Sequence, residues 1–323
     1  MRRREFITLV GGAAAAWPLA ARGQPQPGVK RIGLMANMPL KPIEHLRRKL
    51  KDLGYIEGQN LVIEYRYAEG RDDRYDAFAA ELVALPADMI VTWGTPAALA
   101  AKRATSTIPI VLAAIGDVLN TEIVSNLARP GKNITGFSAV NVELEEKRLE
   151  ILKVLLPDIR RVGVLANAHN ALNGVNLDTA RRLARNWSIT IEAVEIRGGA
   201  EIDEALRTLV GLRPEAVLIA SDILLLGARS KIVDAMAAAR IPAIYPFPEY
   251  VEAGAFIVHG ANLSVLFERA AVYVDKILKG EKPGDLPVQQ ATAFELIINL
   301  KAAAALGVTV PPMLLVRADE VIE

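Results

Sequence analysis

The side chains with chemistry to offer fall at the ends of apolar runs. Asn37 and Met38 close the first run. Gly94 and Thr95, beside Trp93, close the third, and Ile115, Gly116 and Asp117 the fourth. Later come Asn167 and Asn170, then Ser221 and Asp222, then Tyr245 and Phe247. Amides, hydroxyls, two carboxylates and aromatic rings suit a small zwitterion. Helix-terminal N–H groups and Thr95 would take a carboxylate, an aspartate an ammonium, and Tyr245 or Phe247 an apolar side chain. Each residue also has a purely structural reading. Thr95 fits the N-cap of a helix with Pro96 at its first position. Asp117 and Asp222 fit caps of the helices that follow them. Trp93, Tyr245 and Phe247 fit core or cleft lining, and His259 a hydrogen-bonded hinge residue.

Catalytic constellations are missing. There is no Gly-x-Ser-x-Gly elbow, no Gly-Lys-Ser/Thr phosphate loop and no Gly-x-Gly-x-x-Gly after the first run. The neighbouring carboxylates Asp72-Asp73 and Glu145-Glu146 read as solvated faces. Cysteine is absent, which excludes disulfides, thiolate metal sites and cysteine nucleophiles. The three histidines, His45, His169 and His259, lack His-x-x-x-His spacing, so neither a metal site nor a cofactor is expected. A binder is favoured over an enzyme. The competing readings are an exported α/β hydrolase using Asp117 or Asp222 as base, and a sensor subunit that presents its ligand to a receptor.

At 323 residues, with 52% hydrophobic and 23% charged side chains, the chain has the length of about two domains and enough apolar surface to bury their cores. Its first 23 residues read as an export signal. Arg2, Arg3 and Arg4 precede an apolar stretch too short to span a bilayer, and Ala21 and Gly23 give small residues at a cleavage site. Arg3-Arg4 followed by Glu5-Phe6-Ile7 is similar to a twin-arginine signal. With no cysteine to carry a lipid, a free periplasmic protein is expected. The leader holds a net +3 of the chain's +1, leaving the remainder at −2. No positive face for nucleic acid follows from that balance.

Short apolar runs alternate with helical patterns along the rest, as in parallel βαβ units. Strands are expected at 31–35, 61–67, 89–92 and 109–113, then at 161–166, 190–194, 216–219 and 242–245. Helices are expected between them, with long ones at 144–156 and 263–279 and a last one at 296–306. Two rounds of the same α/β pattern imply two similar lobes. The tail, too short for a third domain, must return to both of them, and repeated crossing makes a hinge.

Several stretches carry a family resemblance. They are Gly94-Thr95-Pro96-Ala97-Ala98-Leu99, the run from Leu127 through Ala128-Arg129-Pro130-Gly131-Lys132-Asn133-Ile134-Thr135-Gly136, and Pro242-Ala243-Ile244-Tyr245. Val272-Tyr273-Val274-Asp275-Lys276-Ile277-Leu278-Lys279-Gly280 and Leu300–Gly307 complete the set. Together they resemble substrate-binding proteins of bacterial ABC importers, in the group that includes tryptophan- and tyrosine-type binding proteins. The resemblance implies a type I periplasmic-binding-protein fold, with two Rossmann-like lobes of parallel strands joined by three crossing segments. It places one lobe at 28–138 plus 261–288 and the other at 139–260 plus 289–323. It further implies a monomer that closes on an amino-acid-like or aromatic-acid-like ligand and passes it to an inner-membrane permease. Val118 and Glu122 after Gly116-Asp117, and Val258-His259 before Gly260, depart from the common pattern at positions that flank the cleft.

Overall fold

Strands covered by helices on both faces have no polar side to show, so the apolar runs become the centres of two sheets. In the computed structural model, which describes residues 28–139, 142–292 and 294–323, the first sheet begins with β1 (Lys30–Ala36), β2 (Leu61–Tyr67) and β3 (Met89–Trp93). It continues with β4 (Ile110–Ile115) and β5 (Ile134–Ser138) and ends with a late strand, β11 (Gln289–Gln290). Their spatial order is β11-β5-β4-β3-β1-β2. All neighbours in it are parallel. Helix α1 (Lys41–Asp52) packs with α9 (Leu263–Leu278) against one face, where Trp93 meets Phe267 edge-on at 4.9 Å. Helices α2 (Tyr75–Ala84) and α3 (Thr95–Ala104) cover the other through Phe78, Leu82 and Ala97.

The second sheet repeats the plan with β6 (Arg161–Asn167), β7 (Thr190–Ile196), β8 (Ala216–Ile219), β9 (Ala243–Tyr245) and β10 (Ile257–Ala261). Two closing strands, β12 (Phe294–Asn299) and β13 (Glu320–Ile322), complete the order β13-β12-β10-β9-β8-β6-β7. Around it lie α4 (Val142–Leu155), α5 (Ala171–Asn186), α6 (Ile202–Gly211), α7 (Ile223–Gly227), α8 (Arg229–Ala239), α10 (Leu300–Leu306) and α11 (Pro312–Arg317). The proposed leader lies outside the described residues. No helix among those described is long and apolar enough to cross a membrane.

The tail differs from its sequence reading. The apolar run Leu296-Ile297-Ile298 is a buried strand, antiparallel to β10, in a sheet expected to be parallel throughout. The helix expected from 296 starts only at Leu300, because the Asn299 side chain accepts the Ala302 N–H at 3.0 Å and caps it there. Strands β5 and β10 were also unforeseen. β5 is hidden by Gly136, which looks like a turn residue. At φ +134°, with a built Cβ only 2.2 Å from the Leu112 carbonyl oxygen, that position accepts glycine alone. The β4–β5 register shifts beside it.

Three crossings join the sheets: after β5, between β10 and α9, and between β11 and β12. The lobe boundaries expected at 261 and 289 fall slightly elsewhere. Ala261 pairs with Phe294 in the second sheet, whereas Gln289 and Gln290 pair with Phe137 and Ser138 in the first.

Candidate ligand-binding cleft

The carboxyl ends of both sheets face one another, and loops from each wall a cleft with about 470 Å³ of atom-free space, part of it open to solvent. Asn37 follows β1, Asp72 and Tyr75 follow β2, Trp93 to Pro96 follow β3, and Ala114 to Gly116 end β4. Across the gap stand Asn170 and Leu172 after β6, Ser221 to Leu224 after β8, and Phe247 after β9. Parallel sheets place loops and helix N-termini at this end of their strands, which is why binding groups collect there.

Polar groups of the second lobe are held by one another. Asp222 caps α7, its Oδ1 accepting the N–H groups of Leu224 at 2.8 Å and Leu225 at 3.1 Å. Its Oδ2 accepts from the amides of Asn170 at 2.8 Å and Asn167 at 3.1 Å. Asn170 in turn caps α5 by accepting the Leu172 N–H at 3.1 Å. Behind them, Ser221 Oγ accepts from Arg148 Nη2 at 2.8 Å, and Arg148 Nη1 lies 2.6 Å from Glu145 Oε2. Both partners of that ion pair are buried. Burial pushes the Glu145 carboxyl up, and the Arg148 charge opposes the rise.

The first lobe offers backbone instead. Asn37 Oδ1 accepts the Gly70 N–H at 2.6 Å, and Asn37 Nδ2 reaches the Ile223 carbonyl across the cleft at 3.3 Å. Gly70 accepts the Gly199 N–H at 2.8 Å, lobe to lobe. Asn167 Nδ2 donates across the gap to Asp72 Oδ2 at 2.8 Å. Lys41 pairs with Glu252 at the rim. Bare glycines receive side chains of the opposite lobe: a Cβ built on Gly116 would stand 2.2 Å from Leu172 Cδ2, and one on Gly94 3.3 Å from Ile223 Cγ1. The lobes are therefore in contact, with the cleft shut.

Burial, then the neighbouring Asp222, pushes the Asp72 carboxyl up to about 6. Asp222 is also raised by burial, against the pull of the Asn and N–H donors on it. Tyr75 is raised by burial and by both carboxylates. Among the described residues no ion pair reaches Asp72 or Asp222.

Of the residues singled out in the sequence, Asn37, Gly94, Thr95, Ile115, Gly116, Asn170, Ser221, Asp222 and Phe247 meet in the cleft wall. Four do not. Met38 packs toward Gly227 along the seam, where a Cβ would come within 2.9 Å of its Cε. Asn167 stands behind the wall as the bridge just described. Asp117 is occupied by its own turn, accepting from the backbone of Leu119 and Asn120 and from the Asn120 side chain. Tyr245 points into the second-lobe core, its ring 4.9 Å from that of Tyr250. Thr95 is not a cap: Gly94 holds the N-cap position of α3, and Thr95 and Pro96 begin the helix. The first turn keeps N–H groups without intrahelical partners beside a buried threonine.

Asp72 and Tyr75 were missed. The Asp72-Asp73 pair reads as a solvated run, yet the two side chains diverge. Asp73 pairs with Arg71 at the surface, and Asp72 turns into the cleft. Its position beyond the end of the strand at 61–67 is the same signal that marks the polar residues after the neighbouring strands.

Two doubly wound lobes are thus shut on a cleft that combines polar groups with apolar and aromatic side chains. The chain belongs to the family described as ABC transporter substrate binding protein, which matches residues 40–322. It is 27% identical over 276 residues to the tyrosine-binding protein of Clostridioides difficile (strain R20291), covering 84% of this chain and 79% of that one. The crystal structure of a conserved domain protein from Vibrio cholerae O1 biovar El Tor superposes with a TM-score of 0.83 at 29% identity, over 91% of this chain and 99% of the other. An ABC domain from Streptococcus pneumoniae in complex with L-Trp superposes at 0.80 and 24% identity, over 90% and 100%.

Proposed function

We propose that this substrate-binding protein is exported to the periplasm by its leader, closes as a monomer on a small amino-acid-like zwitterion, and releases it unchanged to a membrane permease. The observation that carries the reading is convergence: one cleft collects groups from both lobes, so a molecule within it is touched from both sides and selects the closed state. The open first turn of α3 and Thr95 suit a carboxylate. Asp72 and Asp222 suit an ammonium, and Trp93, Tyr75 and Phe247 line the rest. The tyrosine-binding relative and the L-Trp complex favour an amino acid with a ring. Ser221 is no nucleophile in this setting, because its oxygen is bonded to a guanidinium, which cannot take its proton.

A thermal-shift screen over the natural amino acids tests the proposal. At a ligand concentration 100 times the dissociation constant, about 2.7 kcal/mol of added stability is expected, with tyrosine or tryptophan among the positives. No shift with any amino acid, or recovery of a chemically altered compound from the complex, overturns it.

A further inference from the structure

Asp72 and Asp222 come from opposite lobes, and their Oδ2 atoms share a single donor, the Asn167 amide, at 2.8 and 3.1 Å. The two carboxylates are thus separated by no more than those two bonds laid end to end. Asp222 accepts from four donors, whereas Asp72 accepts from the Asn167 amide through Oδ2 and keeps Oδ1 for something else. Neither meets a lysine or arginine at ion-pair distance among the described residues. The groups that face Asp72 are Asp222, the Asn167 amide, His169, Asp73 and the Tyr75 hydroxyl, of which only exposed His169 offers any positive charge. Closing the lobes therefore drives two negative groups together in a partly dry space, where among the described residues no lysine or arginine pairs with either and only exposed His169 stands beside Asp72.

We infer that this pair is a charge gate: the empty cleft resists closing because Asp72 and Asp222 repel, and a ligand's ammonium, by sitting against Asp72, turns that repulsion into the closing force. The inference rests on the proposed binding role and adds what it selects for, a primary amine or another cationic head. Acids of the same shape that lack one are rejected. A ligand shifts a conformational equilibrium only by its differential affinity for the two states, and here the difference resides in one charge. A proton can replace the ammonium. Since the Asp72 carboxyl is raised to about 6 in the closed form, acid favours closing. Relative to an ordinary aspartate in the open form, the closed-to-open ratio should grow about tenfold between pH 8 and pH 5.

Small-angle scattering of the full, ligand-free mature protein reads closure directly. The wild type is expected to be extended at pH 8 and to contract toward pH 5. Asp72→Asn, which keeps size and hydrogen bonding, is expected to be contracted at both, and His169→Gln to behave as the wild type. Asp72→Ser serves as the second variant should Asp72→Asn fail to fold, with circular dichroism checking each. Equal dimensions at pH 8 for the wild type and the folded Asp72 variants overturn the gate. So does a pH response that survives removal of Asp72. These arms need no ligand, so they stand or fall apart from the binding proposal. In the ligand arm, L-tyrosine and L-tryptophan are compared with 3-(4-hydroxyphenyl)propionic and indole-3-propionic acid. A preference of at least tenfold for the amines is expected in the wild type and a reduced one in Asp72→Asn. Equal binding of amines and acids by the wild type contradicts the gate while leaving a cleft that binds.

Discussion

The two walls of the cleft are built by opposite strategies. The second lobe presents side chains that are already bonded: Asp222 capping α7, Asn170 capping α5, and Ser221 held by the buried Arg148–Glu145 pair. The first presents missing side chains, with Gly70, Gly94 and Gly116 letting backbone or an opposing Leu172 or Ile223 approach. One wall is rigid before anything binds, because its polar groups satisfy one another. Its counterpart is a seat whose shape matters only once the lobes meet. Changes in the second wall should therefore act on stability, and changes in the first on closure.

The sharpest way to break that contrast is Arg148→Met, which strands the buried Glu145 carboxylate. We expect a loss of about 3–5 kcal/mol in chemical denaturation, with much of it recovered when Glu145→Leu is added. A loss below 1 kcal/mol would mean that the second wall does not depend on this pair. Next in size is Glu249, in the turn that follows Phe247, whose Oε2 is buried without a partner and whose carboxyl burial raises to about 7. The folded form holds this proton more tightly than the unfolded chain. Stability is then full below about 4.5, falls as pH rises to about 7, and is flat above. Glu249→Gln should flatten the fall and add about 1–3 kcal/mol at pH 8, read from melting curves across that range. The smallest effect is expected in the first wall. Gly116→Ala should leave the ligand-free melting temperature almost unchanged and weaken ligand binding about tenfold, or about 1.4 kcal/mol, with Leu172→Ala restoring it. Unaltered affinity in Gly116→Ala would show that Leu172 needs no seat.

The same contrast explains what the sequence revealed. Strand ends rich in Asn, Ser and Asp mark a polar wall, so most of the second lobe's contribution could be read directly. A wall made of glycines has little signature beyond the glycines themselves. The side chains that fill it, Leu172 and Ile223, are ordinary apolar residues whose role appears only when the lobes are brought together. Adjacent like charges mislead for a related reason. Asp72-Asp73 and Glu145-Glu146 each place one carboxylate in the interior and leave the other toward solvent, and composition alone does not say which. Alternation would put Tyr245 and Phe247 on one face, and they part only because β9 ends at Tyr245, leaving Phe247 in the loop that enters the cleft. The tail was least legible, since Leu296-Ile297-Ile298 lacks the period that separates strand from helix, and the Asn299 cap is a single residue.

The bond from the Gly199 N–H to the Gly70 carbonyl is made by main-chain atoms that no side-chain substitution removes, and it exists only while the halves touch. Deuterium can reach that amide once this bond opens, as it must whenever the halves part. The Gly199 amide thus carries an isotopic mark of lobe opening, whose exchange is expected to slow when a ligand holds the lobes shut.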